Sequence, residues 1–349
     1  MTNNYIWDED NKDIFHKLVL NENSENSENS ENGVFIFNEN CLELLKNNYR
    51  TEYHNIRNNY INKKILWNNK NHKYSFGIVN NCIVDSNGLC IIKKKVYVNG
   101  GCKCDNKTLV LNNNNNIKKY DIVISITAKW CDSIWHFPFE SFVALKSISH
   151  DILKQAKIHV GKKTSYILQW LKLLDIESSQ VVSGCVYGNI VYFPKMGDCG
   201  NPYYDQILWI KDIITKNLIN SEDFKYVILI KRNVSRTIFN FEDFKKVIQE
   251  FANTKKLELY IHDDACLPTL VEQHKIFRAA KYVFAPHGAG GIHLPALKKS
   301  AWYIEFFNED INVCYAKLAY LLKINYWGLD LNNGIIDIVK LNNLLLELK

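Results

Sequence analysis

The sequence predicts an α/β protein with two domains, the second built on a parallel sheet with helices on both faces. From about residue 202 onward, strand, loop and helix patterns alternate regularly, which is typical of such a sheet. The length of 349 residues is sufficient for two domains that each have their own core. We therefore expect an N-terminal segment with a low-complexity loop at residues 1–32, one α/β domain at residues 33–201 and another at residues 202–349. The last helix is a candidate to pack back on the first domain.

The first half has an irregular α/β pattern. Apolar runs and alternation predict strands at residues 33–37, 74–79, 89–98, 108–111, 121–126 and 185–193. Apolar residues at intervals of three and four predict helices at residues 133–149 and 165–174.

The second half follows a turn-rich linker at residues 197–202 and is more regular. Strands are predicted at residues 226–231, 257–262, 281–284, 302–306 and 325–329. Helices are predicted at residues 204–216, 241–252, 267–280, 292–298, 312–322 and 336–348. In sheets of this kind, ligands bind outside the carboxyl ends of the strands, so the loops there are the candidate site.

Composition and charge exclude several classes of function. The net charge of +6 is spread along the chain, so we expect no nucleic-acid partner. No apolar run is long enough to span a bilayer, and the first residues lack a signal-peptide pattern, so we expect a cytoplasmic protein without an anchor. The 10 cysteines include no CxxC pair and match no zinc spacing. The sequence leaves the oligomeric state open.

A glycine-rich loop between two predicted strands is a candidate anion site. It contains His287, Gly288, Ala289 and Gly290, and a short predicted helix follows. Glycines let the backbone approach a phosphate closely, and a helix start offers unpaired N–H groups. A tight strand-to-helix connection explains the same glycines without a ligand.

Two arginines and one glutamate lie at the carboxyl ends of other predicted strands in the second half of the chain. Arg232 and Arg236 follow one strand and could hold phosphate oxygens through bidentate hydrogen bonds. Glu305 ends another strand and could accept hydrogen bonds from both ribose hydroxyls of a nucleotide. The alternatives are a solvated loop for the arginines and a surface position for Glu305.

One pair in the first half could act as a general base. His136 and Glu140 are four residues apart, so they share one face of a helix. Either group could take the proton of a hydroxyl nucleophile. The alternative is an ordinary surface contact.

Taken together and in order, these residues resemble the signature of glycosyltransferase family 61. That family carries an arginine–x3–arginine–x3–asparagine element, here Arg232, Arg236 and Asn240, and an HGAG loop, here His287 to Gly290. The resemblance covers roughly residues 120–307 and includes the histidine followed by an acid, here His136 and Glu140, the run from Gln273 to Ala280, and Trp302 to Glu305.

This resemblance implies a GT-B-like fold, in which two Rossmann-like domains with parallel sheets face each other. It implies an inverting hexosyl- or pentosyltransferase that moves a sugar from a nucleotide-sugar, UDP being the expected nucleotide, to a glycan or protein hydroxyl. The second domain would bind the donor through Arg232, Arg236, Asn240, His287 to Gly290, and Glu305. The first domain would bind the acceptor, with His136 or Glu140 as base.

No cofactor or metal is expected, because Arg232, Arg236 and the N–H groups of Gly288–Gly290 would stabilise the departing diphosphate. The lack of a DxD-type carboxylate cluster in the donor half agrees with this. Asp263 and Asp264 follow a strand and are interpreted as a helix N-cap region. Family members often have Leu, Thr or Ser, and Asn after HGAG, whereas Gly291, Ile292 and His293 follow here. This departure makes those three residues the candidate for the chain's own sugar preference.

Two alternative functions stay open at the level of sequence. One is a catalytically silent glycan-binding protein, or a structural protein of a virion or coat, on the same fold. The other is a pyruvyl or phosphate-handling transferase with the same architecture. The abundance of Asn and Lys suggests an AT-rich genome, such as that of a large DNA virus, a microbe or a protist; for a virus, the expected location is the host cytoplasm or the virion.

Overall fold

A computed structural model describes residues 18–20, 35–37, 74–92, 95–98, 117–128, 130–216, 218, 223–308, 312–331 and 333–348. The chain divides into two compact units. The first consists of Met1–Ser27 and Lys70–Ile213, and the second of Glu28–Asn69 and Ile214–Lys349. The predicted strand at residues 108–111 lies outside the described residues.

A mixed sheet forms the centre of the first unit. Its described strands are β1 (Leu18–Leu20), β3 (Tyr74–Val84), β4 (Leu89–Ile92), β5 (Lys95–Val98), β6 (Lys118–Ser125), β7 (Lys157–His159), β8 (Val181–Val182) and β9 (Val186–Pro194). They follow the order β5-β4-β3-β9-β6-β7-β8, with β1 beside β3. Strands β6 to β9 pair in parallel, whereas β3 pairs with its neighbours in antiparallel fashion.

The prediction of a parallel sheet in the first half is therefore wrong for part of the unit. The apolar run at residues 89–98, predicted as one strand, forms the antiparallel hairpin of β4 and β5. Hairpins need antiparallel neighbours, so this half of the sheet departs from the Rossmann-like pattern. The core between the strands is aliphatic, and Val84, Val123 and Phe193 are fully buried in it.

Helical segments of the first unit follow the sheet strands. They are α1 (His150–Gln155), α2 (Ser165–Lys172) and the start of α3 (Tyr204–Lys216), which crosses the boundary between the units. The predicted α-helix at residues 133–149 is instead a π-helix at Phe137–Ser141 followed by a 3-10 helix at Phe142–Ser147. Residues 137–145 are all buried, so this segment has no solvent-exposed face. Tertiary packing, rather than the local period of the sequence, therefore sets its backbone hydrogen bonds.

The second unit contains a fully parallel sheet, as the sequence predicts. Its described strands are β2 (Phe35–Phe37), β10 (Tyr226–Lys231), β11 (Glu258–Asp263), β12 (Ala280–Pro286), β13 (Trp302–Phe307) and β14 (Asn325–Asp330), in the order β11-β10-β12-β13-β14-β2. Strand β2 joins this sheet, whereas the sequence places residues 33–37 in the first domain.

Helices of the second unit connect these parallel strands. They are α4 (Phe241–Thr254), α5 (Leu270–Arg278), α6 (Cys314–Leu322) and α7 (Ile338–Glu347), and a 3-10 helix spans Ala289–Ala296. Each lies within a few residues of its predicted range. Helix α5 begins with a capping box, in which Thr269 accepts from the Glu272 N–H and the Glu272 carboxylate accepts from the Thr269 N–H.

One face of the second sheet is covered by α4 and α7. Phe244 of α4, Phe284 of β12 and Leu341 of α7 are buried together in this core. The last helix packs beside α4 within the second unit, and its packing on the first domain stays a prediction.

In the described residues, no helix combines the length and apolar character that a bilayer crossing requires.

Candidate functional site

The candidate donor site lies where the strand order of the second sheet reverses. From β10 the chain moves to β11 on one side and then to β12 on the other. The loops after β10 and β12 therefore leave the sheet in opposite directions, and in sheets of this kind ligands bind at such a point, outside the carboxyl edge. Arg232 follows β10 and His287 follows β12, so the predicted arginines and glycine loop meet at this point.

Two guanidinium groups converge on the glycine loop. Arg232 Nη1 and Arg236 Nη1 each lie 3.4 Å from the carbonyl oxygen of His287. Gly288 is required beside them, because a Cβ at this residue would lie 1.7 Å from Arg232 Nη1. Its φ of +154° also belongs to a region that glycine alone adopts readily. The glycine thus makes room for the arginines.

The two arginines form a cationic centre. Burial, and then the neighbouring Arg236 cation, lower the pKa of Arg232 from its ordinary value. The Asp264 carboxylate lies 3.9 Å from Arg232 Nε. Like charges held this close favour the binding of an anion, since an anion relieves their repulsion. Arg236 also has a positive φ of 55°, a strained conformation that often marks a functional position.

The arginine loop is anchored to the end of β11. The Asn233 side chain donates to Asp263 Oδ1 and Asp264 Oδ1, both at 2.6 Å, and Lys231 Nζ lies 3.0 Å from Asp263. These bonds, with one from the Ala265 N–H as the largest cause, lower the pKa of Asp263 to about 2. The interpretation of the two acids as a helix N-cap is wrong, because Thr269 caps α5. They hold the loop instead.

Asn240 lies on the same loop but contacts protein. Its side-chain amide donates to the Ile336 carbonyl at 2.9 Å, and its Oδ1 accepts from the Ile336 N–H at 3.0 Å. Both ends of the side chain are therefore used to join the loop to the segment before α7. The donor contact predicted for Asn240 would require these bonds to open, so we assign it an anchoring part.

Glu305 is buried within the sheet rather than open to a ligand. It is 0% exposed. Its Oε1 lies 2.5 Å from His287 Nδ1, and its Oε2 accepts from the Tyr326 hydroxyl at 2.6 Å. Both carboxylate oxygens therefore have partners inside the protein. The predicted bidentate contact with a ribose would require both of these hydrogen bonds to break.

His287 is held between aromatic rings at the tip of β12. Its ring stacks on Phe307, with centroids 5.5 Å apart, and contacts Tyr315 at 5.4 Å. The backbone N–H of His287 donates to the Phe306 carbonyl at 2.8 Å, so the loop is tied to β13. The ring is buried and has a fixed orientation.

The segment that departs from the family pattern is part of the core. Gly291 is buried, and a Cβ there would lie 2.3 Å from the Tyr315 ring. Ile292 and His293 are 3% and 2% exposed. A sugar preference set by contact with these residues stays a prediction, and the burial of the Ile292 and His293 side chains gives it no support.

His293 belongs to a buried histidine cluster with His262 and His274. The ring of His293 lies 5.6 Å from that of His262 and 5.5 Å from that of His274. Burial lowers the pKa of His262 to about 4 and that of His274 to about 3, and it lowers the pKa of His293 further below its ordinary value. The cluster therefore stays neutral and packs behind the glycine loop.

His136 and Glu140 form the predicted pair in the first unit. His136 Nδ1 lies 2.7 Å from Glu140 Oε1, and the two side chains are 23% and 4% exposed. The Gly200 N–H also donates to Glu140 Oε1 at 3.0 Å. The π-helix places these residues, and π-helical turns are frequent at functional sites. A buried carboxylate that orients a more exposed imidazole is an arrangement suited to general base catalysis.

The same pair has a third potential metal ligand beside it. The candidate ligand atoms of His136, Glu140 and Cys199 lie within 4.8 Å of one another. The Cys199 sulfur is in a disulfide bond, so it is not available as a thiolate. This group accordingly gives no reason to assign a metal.

Sequence reasoning missed two residues of the site. Tyr326 contacts Glu305 from the neighbouring strand, and Ser235 Oγ accepts from Arg232 Nη2 at 2.9 Å. The serine lies inside the arginine element and could have been found there. Tyr326 has no local signal, since its contact joins strands that are separated by a whole helix.

The sequence model of the family described as Glycosyltransferase 61 matches residues 110–302, which is more than half of the chain. This range includes the arginine loop, the glycine loop and the His136–Glu140 pair, whereas Glu305 and Tyr326 lie 3 and 24 residues beyond its end. No curated protein matches the chain significantly.

Proposed function

The chain belongs to the glycosyltransferase 61 family, and on that premise we propose that it transfers a hexosyl or pentosyl residue from a nucleotide-sugar to a hydroxyl group of a glycan or protein. The observation that carries this proposal is the convergence of Arg232 and Arg236 on Gly288 at the switch point of a parallel sheet. A paired guanidinium site in such a crevice suits the diphosphate of a nucleotide, with UDP as the expected carrier.

The proposed reaction is a single displacement with inversion. The acceptor oxygen attacks the anomeric carbon while the bond from that carbon to the diphosphate oxygen breaks. Arg232 and Arg236 stabilise the negative charge that grows on the diphosphate, which is commonly the largest contribution to catalysis. These two cations take the part that a metal ion plays in other transferases, so we propose metal-independent transfer.

His136 is the proposed base. Glu140 accepts from its Nδ1, and we propose that Nε2 takes the proton of the acceptor hydroxyl as the new bond forms. Because Glu140 is buried and held by the Gly200 N–H, it orients the histidine rather than acting alone.

The proposal is tested by binding before activity. A thermal-shift screen against UDP-, GDP- and dTDP-sugars should raise the Tm with the matching nucleotide, because a ligand that binds only the folded state stabilises it. The same screen on Arg232→Ala should show no shift although the variant remains folded. If no nucleotide-sugar raises the Tm, or if Arg232→Ala and Arg236→Ala both retain full transfer, the diphosphate assignment fails.

A further inference from the structure

A chain of three side chains runs through the middle of the second sheet to the candidate donor site. Tyr326 of β14 donates to Glu305 of β13 at 2.6 Å, and Glu305 faces Nδ1 of His287, at the end of β12, at 2.5 Å. These three parallel strands are neighbours, so the chain crosses the sheet from strand to strand.

Burying a carboxylate in this series of hydrogen bonds costs stability, which indicates that Glu305 has a functional role. A carboxylate that is 0% exposed loses its hydration and is tolerated only when its oxygens are fully paired. Here one oxygen accepts from a phenol and the other faces an imidazole, so both are satisfied. An apolar residue at this strand position would avoid the cost altogether.

The arrangement determines which nitrogen of His287 is left for a ligand. Nδ1 lies 2.5 Å from Glu305 Oε1, so this nitrogen already has a partner inside the protein. Among the described residues, Nε2 of His287 has no hydrogen-bond partner. It is also not one of the polar atoms that are both buried and without a partner. His287 is the first residue of the glycine loop, and its own backbone carbonyl faces both arginines.

We propose that Glu305 and Tyr326 are positioning residues that hold His287 with Nε2 directed to the phosphates of a bound nucleoside diphosphate. In its protonated form the ring donates from Nδ1 to Glu305 and from Nε2 to a phosphate oxygen, beside Arg232 and Arg236. This inference rests on the proposed function, and it replaces the ribose contact of Glu305 with an indirect one.

Other polar groups lie around Tyr326, Glu305 and His287, and their effects must be distinguished from those of these three side chains. Tyr303 and Cys314 lie close enough to Glu305 for electrostatic interaction, and Tyr315 contacts the His287 ring. Tyr303 is the matched control. Its hydroxyl is buried without a hydrogen-bond partner among the described residues, and it pairs in register with Tyr326 on the next strand.

The experiment compares Tyr326→Phe with Tyr303→Phe, each of which removes one buried hydroxyl from adjacent strands. UDP affinity is measured by calorimetry, and ¹⁵N spectra of the histidine side chains report which nitrogen of His287 carries the proton. We expect Tyr326→Phe to weaken UDP binding about threefold to tenfold, because the lost hydrogen bond acts on UDP only indirectly, through the orientation of His287. Tyr303→Phe should bind UDP as the unmodified protein does.

Further variants distinguish the positioning of His287 from a general loss of protein stability. Glu305→Gln should change the protonation of Nδ1 in the spectra, and on a His287→Gln background Tyr326→Phe should have no further effect on UDP affinity, because its effect acts through the histidine. Equal behaviour of the two tyrosine variants in both affinity and spectra would overturn the proposal. If the unmodified protein binds neither UDP nor pyrophosphate, the proposed function fails, and the spectra then decide the positioning of His287 by themselves.

Discussion

Replacement of Gly288 by alanine tests whether the close approach of Arg232 to the glycine loop matters for function. The added Cβ would lie 1.7 Å from Arg232 Nη1 and 3.5 Å from Arg236 Nη1, whereas ordinary contact begins at 3.4 Å. The Arg232 guanidinium must therefore move by roughly 1.7 Å, and misplacement on this scale is known to be costly at active sites. Arg236 can stay where it is.

The size of the effect follows from one lost contact. A hydrogen bond to a charged group contributes about 1.5–3 kcal/mol. Its loss should weaken UDP binding roughly 10- to 150-fold. The strained backbone at Gly288 adds a stability cost of about 1–3 kcal/mol for any residue with a Cβ, so affinity and Tm must both be measured.

Gly184→Ala is the matched control for backbone strain. Gly184 has a φ of +82°, and a Cβ there would meet nothing within 4 Å. This variant should lose stability but bind UDP normally in calorimetry. A folded Gly288→Ala protein that binds UDP as tightly as the control would refute the claim that Arg232 needs the space above this glycine.

Three further predictions concern the arginine loop, the base pair and the buried histidine cluster. Arg236→Lys keeps the charge but loses the planar fork, so UDP affinity by calorimetry should fall about tenfold; unchanged affinity would show that only charge matters. Glu140→Gln should lower the kcat of transfer about 10²-fold through a misoriented His136, while UDP affinity stays the same; an equal loss of affinity would place the pair in donor binding instead. The buried histidine cluster has pKa values below 6.5 in the folded protein, so the unfolded chain takes up more protons as the pH falls. Stability is then complete above pH 6.5 and decreases toward pH 4, with on the order of 3 kcal/mol at stake for each histidine. A Tm that is constant between pH 7 and pH 4 by circular dichroism would contradict this.

Local pattern predicts much of the second unit. The strand at residues 226–231 has the predicted bounds, and the helices around residues 241–252 and 312–322 are displaced by only a few residues. In these elements apolar residues recur at regular spacing, and residues typical of loops mark both ends. The local sequence is therefore sufficient to predict them. The first unit is less predictable, because the pairing of β3 with β9 joins residues about a hundred positions apart.

The sequence by itself determined that the arginines and the glycine loop follow strands of a parallel sheet, and that His136 and Glu140 are spaced for contact. Those features depend on local period and on the rule that ligands bind at carboxyl ends. Only the tertiary structure decided what Glu305, Asn240 and His293 do. Glu305 turned from a ligand contact into a buried partner of His287 and Tyr326, Asn240 into an anchor, and His293 into core. The physical reason is that burial and hydrogen-bond partners depend on side chains brought together from distant strands, and no spacing along the chain records such contacts.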